Sequence, residues 1–255
     1  MKNNKIPHFE IYPNHGIVKQ NAKFITRLIY KVIPRNVFLQ FLNEFYFYRL
    51  RLKSSSQKKK FLRQFELKVN IGAGPKGKEG WINVDAYKQP GINCIYDCRT
   101  ELPFQDESVD MIFCEHFVEH LDYTEEIPFF FTECKRVLKK GGVMRIIVPD
   151  TELYIKGYVE EGWESLKKVR PLTEDKEDYW MHFKYQNKME LLNIIFRQGI
   201  EHKYAYDYEN MEYVLNRFGF SKVFRQKFNQ SQLSELALDS PERGTESLYV
   251  EVVKE

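Results

Sequence analysis

The alternation of short apolar strands with helical segments after residue 66 constrains the fold of this chain more than any other feature. Runs of β-branched, apolar and aromatic residues predict strands at 67–71, 81–85, 92–96, 109–114 and 143–148. The stretch 124–139 has the length and periodicity of a helix, which Gly141 and Gly142 are predicted to cap. Strands that alternate with helices form mostly parallel sheets, so a mostly parallel α/β sheet is expected.

The second half of the chain continues this pattern. Later helices are predicted near 151–168, 187–198 and 207–218, and later strands near 222–228 and 247–253. Asp150 directly precedes the first of these helices and can N-cap it. The two final strands resemble a hairpin and bring the total to seven, so the last strand is expected to be antiparallel.

The first quarter of the chain differs from the rest in charge. Residues 1–63 carry 14 Lys and Arg against two Glu, a net charge of +12, whereas residues 64–255 carry 25 against 34, a net charge of −9. The first segment is predicted to hold amphipathic helices over 21–33 and about 36–52 and a polar linker over 53–60. We therefore divide the chain into a basic amphipathic helical extension, 1–63, and a main domain, 64–255.

Composition excludes several classes of protein. The 255 residues are 43% apolar and 29% charged, which is typical of a globular domain and not of a disordered or collagen-like chain. The four cysteines include no Cys-x-x-Cys pair, so neither a zinc ribbon nor a disulfide scaffold is indicated. No apolar run approaches a membrane span, and the N-terminal residues lack the apolar core of a signal peptide. A cytoplasmic location is expected.

Three successive predicted strands each end in residues that could contact a nucleoside. Gly72-Ala73-Gly74 follows the first strand, where residues without a bulky side chain allow a ligand to approach the backbone. On its own this motif is equally consistent with a tight turn. Asp85 ends the second strand, where a carboxylate can accept both hydroxyl hydrogens of a ribose. Asp97 follows the third and precedes Leu102-Pro-Phe104, a second acceptor beside an apolar wall.

The chain resembles a class I S-adenosylmethionine-dependent methyltransferase of the small-molecule type. The resemblance runs through Val69-Asn-Ile-Gly-Ala-Gly74, Gly80-Trp-Ile-Asn-Val-Asp85, Asp97 with Leu102 to Asp110, Glu115-His-Phe-Val-Glu-His-Leu121 and Arg136-Val-Leu-Lys-Lys-Gly-Gly142. Within the family it most resembles a bacterial subgroup associated with cell-surface polysaccharide genes, through His202 to Asp207 and Glu246 to Glu251. The resemblance implies a Rossmann-like sheet and methyl transfer from S-adenosylmethionine to a small acceptor, an oxygen of a sugar, a nucleotide sugar or a phosphorylated precursor of a surface glycan such as a capsule.

The resemblance also implies which residues bind the cofactor. They are Asn70, Gly72, Ala73, Gly74, Asp85, Ala86, Asp97, Cys98 and Glu115. Two departures from the family stand out. Asn70 replaces an acidic residue that usually helps to hold the methionine amino group, so that contact is expected to be neutral or absent. The spacing from Gly74 to Trp81 is too short for the usual first crossover helix, and the N-terminal helices are expected to take its place against the sheet.

The acceptor is expected to lie near the segment that follows the fourth strand. His120 is the first candidate for a general base because its reference pKa is near neutral, with His116 as the second candidate. Glu119 or Asp150 would orient the imidazolium. The alternative is that each histidine simply packs inside the turn. His202, Tyr206 and Asp150 are candidates for substrate contacts.

The histidine-rich segment after the fourth strand and the basic arm also resemble features of other classes of protein. His116-Phe-Val-Glu119-His120 resembles an inverted zincin signature, but it directly follows a buried strand, so a zinc peptidase is not expected and no metal is predicted. The basic arm, with its 11 aromatic residues, could bind nucleic acid, anionic lipid or the sheet itself. The signatures of DNA-modifying members are absent after the fourth strand, so no nucleic acid is expected. A peripheral membrane contact, a homodimer and a non-catalytic cofactor-binding scaffold remain open.

Overall fold

The computed structural model describes residues 31–179, 183–199 and 201–255. Its centre is a seven-stranded sheet of order β3-β2-β1-β4-β5-β7-β6. The strands are β1 (Leu67–Ile71), β2 (Ile82–Asp85), β3 (Cys94–Ile95), β4 (Val109–Glu115), β5 (Leu138–Pro149), β6 (Lys222–Gln226) and β7 (Ser247–Val253). The pairs among β1 to β5 are parallel, while β7 is antiparallel to both β5 and β6. The predicted Rossmann-like, mostly parallel sheet with an antiparallel last strand is confirmed.

Helices flank the sheet and fill its connections. They are α1 (Arg35–Leu52), α2 (Ser54–Phe61), α3 (Glu126–Val137), α4 (Thr151–Val159), α5 (Glu164–Val169), α6 (Lys188–Arg197) and α7 (Tyr208–Arg217), with 3-10 turns at Val118–His120, Ser234–Leu236 and Pro241–Arg243. The Asp150 side chain accepts a hydrogen bond from Glu152 N, which confirms it as the N-cap of α4. Among these described residues, no helix is both long and apolar enough to cross a membrane.

The main core lies between the sheet and α3 and α7. Strands β1 and β4 contribute residues with no exposed surface, including Val69, Ile71 and Ile112. On the other face of the sheet, Phe113 and Ile147 form a smaller cluster with Tyr249. Strand β4 is covered on both faces from Ile112 to Cys114 and is predominantly apolar there, whereas β1 alternates apolar with polar residues; both patterns are typical of strands.

Local structure differs from the sequence prediction at three places. Residues 53–60 are not a linker, because Ser54–Phe61 is helical and Phe61 packs on Phe104 with ring centroids 5.2 Å apart. Gly141 and Gly142 do not cap α3, since β5 begins at Leu138 and passes through them with a register shift opposite β4. The predicted helix 151–168 is broken into α4 and α5 at a turn containing Gly162, whose φ is +69°. The predicted helix over 21–33 lies outside the described residues except for 31–33, which form a turn and bend.

The first crossover is short, as predicted. Residues 72–81, all described, contain no helix. Helix α1 instead lies against the loops that follow β2 and β3: the Tyr46 hydroxyl donates to Ala86 O at 2.5 Å, and Tyr46 stacks on Tyr87 with centroids 5.2 Å apart. One end of the extension therefore packs on the edge of the sheet where the nucleoside contacts were predicted.

Candidate cofactor and acceptor site

The carboxyl ends of β1, β2 and β4 meet at one edge of the sheet. In the ladder, Ile71 of β1 lies opposite Val84 of β2 on one side and opposite Cys114 of β4 on the other. The chain passes from β1 to β2 on one side and reaches β4 on the other, so the strand order reverses between β1 and β4. Open α/β sheets bind ligands at such a switch point. The fold thus brings the glycine loop, Asp85 and the segment after β4 to the same crevice.

The glycine loop needs both of its glycines. Gly72 and Gly74 have φ values of +68° and +51°, a conformation that residues with a side chain adopt only under strain. A methyl group on Gly72 would lie 2.6 Å from the Phe117 side chain, whereas the space beside Gly74 is open to at least 4 Å. The loop therefore offers bare backbone on the Gly74 side and is covered by Phe117 on the Gly72 side.

Asp85 is bound to this loop and still has capacity for a ligand. One carboxylate oxygen accepts from Gly74 N at 2.9 Å and the other from Tyr87 N at 2.8 Å. Each carboxylate oxygen has two lone pairs, so one acceptor site on each oxygen remains. The side chain is partly exposed. These residues fit a ribose whose two hydroxyls both donate to one carboxylate.

Asn70 faces inward at the end of β1. It is 3% exposed, and its amide donates to Asn83 Oδ1 at 2.9 Å. Asn83 in turn binds Lys78 through both its oxygen and its nitrogen. The Asn70 amide thus takes part in an amide network that holds the short crossover. In the family that the chain resembles, an acidic residue at this position usually contacts the cofactor.

The residues after β3 are held by two arginines. Asp97 is 2% exposed, and its carboxylate accepts from Arg51 at 2.7 Å and from Arg99 at 2.9 Å. Arg99 also lies over the Phe47 ring, 3.5 Å from its centroid. The adjacent Cys98 is buried, and burial raises the pKa of its thiol well above the usual range. Asp97 is therefore a bridge between α1 and the sheet, a role that sequence reasoning missed because Arg51 lies 46 residues upstream.

The apolar segment Leu102–Phe104 and Glu115 both contact other parts of the main domain. Leu102 and Phe104 are buried in the main core. Glu115, the last residue of β4, accepts from Ser240 N at 2.9 Å and from Ser240 Oγ at 2.6 Å. No local sequence signal points to Ser240, since 125 residues separate it from Glu115.

The segment after β4 carries a hydrogen-bonded histidine and a buried carboxylate. His116 has a positive φ of +51°, and its Nε2 lies 2.9 Å from Ser247 Oγ. Its Nδ1 lies 3.2 Å from Glu119 Oε1. Burial raises the pKa of the Glu119 carboxyl, but His116, His120 and His202 outweigh burial and lower that pKa to about 2. The carboxylate is ionised inside the protein.

Two further histidines lie beside Glu119. The rings of His120 and His202 are T-shaped, with centroids 4.8 Å apart. Nδ1 of His120 lies 3.2 Å from Glu201 O, and Nδ1 of His202 lies 2.7 Å from Ile195 O. The structure therefore brings His202 next to the catalytic candidates, whereas the sequence analysis predicts only a substrate contact for it.

Asp150 and Tyr206 lie next to each other at the end of β5. They form a backbone bridge, and Tyr206 is 1% exposed. The Asp150 carboxylate contacts Arg225 at 3.1 Å, yet burial outweighs this contact and raises its pKa. Asp150 holds α4 and β6 together, so its contacts in the structure are with the fold rather than with His120.

Comparisons with known proteins give one family match and several similar solved structures. Residues 84–146, a quarter of the chain, match a family model described as a methyltransferase domain. No curated protein matches the chain. Similar solved structures include a possible histamine N-methyltransferase from Thermotoga maritima, with 19% identity over 86% of this chain and 99% of that one and a TM-score of 0.44. A methyltransferase from Archaeoglobus fulgidus has 18% identity over 84% and 99%, with the same TM-score.

A third structure is the 1,6-didemethyltoxoflavin-N1-methyltransferase of Burkholderia thailandensis, with 12% identity over 95% of this chain and 93% of that one and a TM-score of 0.42. The family match spans Asp85, Asp97 and the His116–His120 segment. Residues 84–146 are therefore similar to a methyltransferase domain.

Proposed function

We propose that this chain transfers a methyl group from S-adenosylmethionine to an oxygen of a sugar, a nucleotide sugar or a phosphorylated precursor of a surface glycan. One observation supports the choice of this class of acceptor. The two blocks that resemble the polysaccharide-associated subgroup, 202–207 and 246–251, are far apart in sequence but meet at one place. Thr151 N donates to Tyr206 O at 3.0 Å, and Asp150 N donates to Glu246 O at 2.9 Å. Both blocks thus flank the end of β5, where this proposal puts the acceptor.

S-adenosylmethionine supplies a methyl group activated by its positive sulfur. The residues of this chain bind and orient the two reactants. Asp85 and the backbone of Gly74 would hold the nucleoside, and the segment after β4 would face the methyl group. Methyl transfer is an in-line displacement, so most of the rate enhancement can come from holding the acceptor oxygen against the methyl carbon with water excluded.

The proposed catalytic group is His116, Glu119 and His120, with His202, Tyr206 and Asp150 as acceptor contacts. His116, Glu119 and His120 follow β4, Asp150 follows β5, and His202 and Tyr206 lie in the segment between α6 and α7. Support for this placement comes from the buried Glu119, around which the three imidazoles cluster. Single substitutions that lower turnover while leaving cofactor affinity intact would assign a residue to the acceptor side.

A non-catalytic scaffold is the second candidate. Two observations favour it: Asn70 is hydrogen bonded to Asn83, and the Asp97 carboxylate is held by Arg51 and Arg99. Both residues were expected to meet the cofactor. Isothermal titration with S-adenosylmethionine identifies a degenerate scaffold, because the enzyme must bind the cofactor and a chain that has lost the site does not. A scaffold that still binds S-adenosylmethionine is separated from the enzyme by the absence of methyl transfer to any acceptor.

A mass-spectrometric screen tests the acceptor. The full chain is incubated with S-adenosylmethionine and a panel of nucleotide sugars and phosphorylated sugars, and each product is examined for the mass gain of one methyl group. Methylation of a sugar-containing acceptor supports the proposal. Cofactor binding with no sugar methylated, together with methylation of a small acid or amine added to the panel, contradicts the acceptor class while leaving the enzyme class intact.

The proposed accessory role of residues 1–63 is a peripheral contact with an anionic membrane. Helix α1 exposes an apolar stripe consisting of Val37, Phe41, Phe45, Tyr48 and Leu52, each at least 47% exposed. These residues follow the three- and four-residue spacing of one helix face. Tyr46 and Phe47 do not belong to this stripe, because both rings contact Tyr87 of the main domain. The stripe, set in a segment of net charge +12, suits the boundary of an anionic bilayer.

A further inference from the structure

Glu119, His120 and His202 form a compact group, called here the imidazole–carboxylate cluster. A carboxylate oxygen and one ring nitrogen from each histidine all lie within 4.8 Å of one another. Glu119 and His120 come from the turn after β4, whereas His202 comes from the segment between α6 and α7. The cluster therefore forms only when two distant parts of the chain meet.

Hydrogen bonds to the backbone fix the tautomers of both histidines. A carbonyl oxygen can only accept, so Nδ1 of His120 must donate to Glu201 O and Nδ1 of His202 must donate to Ile195 O. In the neutral rings each Nε2 then keeps a lone pair. Nε2 of His202 lies 4.0 Å from Glu119 Oε1. A histidine whose other ring nitrogen donates to a backbone carbonyl is the usual arrangement of a metal-ligating imidazole.

The carboxylate of the cluster is buried and has one neighbour besides the two histidines. Glu119 is 1% exposed; its Oε1 lies 3.2 Å from His116 Nδ1, and its Oε2 has no hydrogen-bond partner among the described residues. The hydroxyl of Tyr206, equally buried, also lacks one among them. Glu119, His202 and Tyr206 line one cavity of about 10 Å³. A cavity of this size holds about one water molecule, so it suits an ion or a water rather than a sugar.

We propose that the imidazole–carboxylate cluster binds a divalent transition-metal ion of the zinc class. Two neutral imidazoles and one carboxylate are a known zinc ligand set that leaves a fourth position open. Tetrahedral ligands about 2.1 Å from zinc lie about 3.4 Å apart, so the three side chains must draw together on loading. Tyr206, whose hydroxyl is buried, lines the same cavity as Glu119 and His202. The ion would tie the turn after β4 to the segment that follows α6.

This assignment changes the role expected of His120. An Nε2 lone pair bound to an ion cannot accept a proton, so within the proposed catalytic group His120 would act as a ligand and the general base would be His116. The inverted zincin pattern in the sequence is a different set, because its first histidine, His116, has Nε2 at Ser247 Oγ and Nδ1 at Glu119. The proposed site does not depend on methyl transfer, and its test measures metal rather than activity.

The test uses the full chain, freed of metal with EDTA and then incubated with Zn²⁺ or with Co²⁺, whose visible absorption reports coordination. Excess ion is removed by gel filtration and the bound metal is measured by mass spectrometry. We expect about one ion per chain in the native protein. His120→Asn and His202→Asn should each lose more affinity than the roughly 10–100-fold that an outer-shell partner is worth.

Tyr204→Phe is the matched control. Tyr204 lines the same pocket, but its hydroxyl lies 3.4 Å from Asn210 Nδ2 and is not one of the proposed ligands. This variant should bind metal as the native chain does. Circular dichroism confirms that each variant is folded. The proposal is overturned if the folded native chain binds no ion, if both histidine variants bind as tightly as the native chain, or if Tyr204→Phe loses the ion as they do.

Discussion

The Oδ2 atom of Asp85 accepts a hydrogen bond from Gly74 N at 2.9 Å, which ties the end of β2 to the glycine loop after β1. This bond sets the position of the carboxylate at the switch point. If the remaining acceptor capacity of Asp85 binds the ribose hydroxyls, Asp85→Ala should weaken S-adenosylmethionine binding by about 1–3 kcal/mol. Isothermal titration measures the change.

Two further variants separate binding from loop damage. Asp85→Asn keeps one side-chain oxygen for the Gly74 N–H but loses the charge, so it should bind more tightly than Asp85→Ala and less tightly than the native chain. Asp175→Ala removes a carboxylate whose side chain is 84% exposed and should leave affinity unchanged. Native affinity in a folded Asp85→Ala protein would exclude Asp85 from the site.

The two glycines of the loop should differ in how much a methyl group costs. Gly74→Ala meets only the strain of a positive φ, about 1–2 kcal/mol, because no atom lies within 4 Å of the new carbon. Gly72→Ala meets the same strain and also the Phe117 side chain at 2.6 Å. We therefore expect Gly72→Ala to lower the free energy of unfolding by more than Gly74→Ala does, as measured by urea denaturation.

Phe117 provides the control for this comparison. Relative to Phe117→Gly alone, adding Gly72→Ala should cost no more than Gly74→Ala does, because Phe117→Gly removes both the ring and the Cβ that lies 2.6 Å from the new methyl group, so only the backbone strain remains. Equal losses for Gly72→Ala and Gly74→Ala in the native background would mean that Phe117 moves freely off the loop.

The strands were predictable because a buried strand has a characteristic local pattern of apolar residues. The bounds of β1 and β7 match those expected from apolar runs, and β1 is buried against both of its neighbours in the sheet. The helix Ser54–Phe61 was not predictable, because its sequence is almost wholly polar and one distant contact, Phe61 on Phe104, anchors it.

The candidate site shows the same limit. The sequence places Asp85 and Asp97 at strand ends, since strand ends follow from periodicity. It does not reveal that Arg51 reaches Asp97, because that contact depends on how α1 crosses the edge of the sheet. For the same reason, the three side chains of the imidazole–carboxylate cluster, 83 positions apart at most, could not be joined as a metal site from spacing alone.

The contact between Arg51 and Asp97 should hold α1 on the sheet. A double-mutant cycle with Arg51→Gln and Asp97→Asn should give a coupling of about 1.5–3 kcal/mol, the range for hydrogen bonds to charged groups, because Asp97 is buried. The exposed pair Lys58 and Glu101 serves as the matched control and should give about 0–1 kcal/mol. Urea unfolding supplies the free energies.

Hydrogen exchange adds a local readout to the same cycle. Loss of the Arg51 contact should speed exchange of the α1 amides more than that of the amides in β4. A coupling no larger than that of the exposed pair, with α1 exchange unchanged, would show that Tyr46 and Phe47 hold the helix without this ion pair.

The apolar stripe of α1 should bind anionic membranes. Phe41 and Phe45 lie one turn apart and are 63% and 47% exposed, so their rings can enter the boundary between headgroups and acyl chains while nearby basic residues face the lipid phosphates. The double variant Phe41→Ser/Phe45→Ser should reduce the fraction that sediments with vesicles containing phosphatidylserine. Phe129→Ser, at a site on α3 that is 59% exposed, is the matched control and should sediment as the native chain does.

Binding of the native chain to these vesicles should weaken as salt is raised, because screening acts on the basic residues. If the native chain does not sediment and instead elutes from gel filtration as a dimer that Phe41→Ser/Phe45→Ser dissociates, the stripe binds a second copy of this chain and the membrane proposal is wrong.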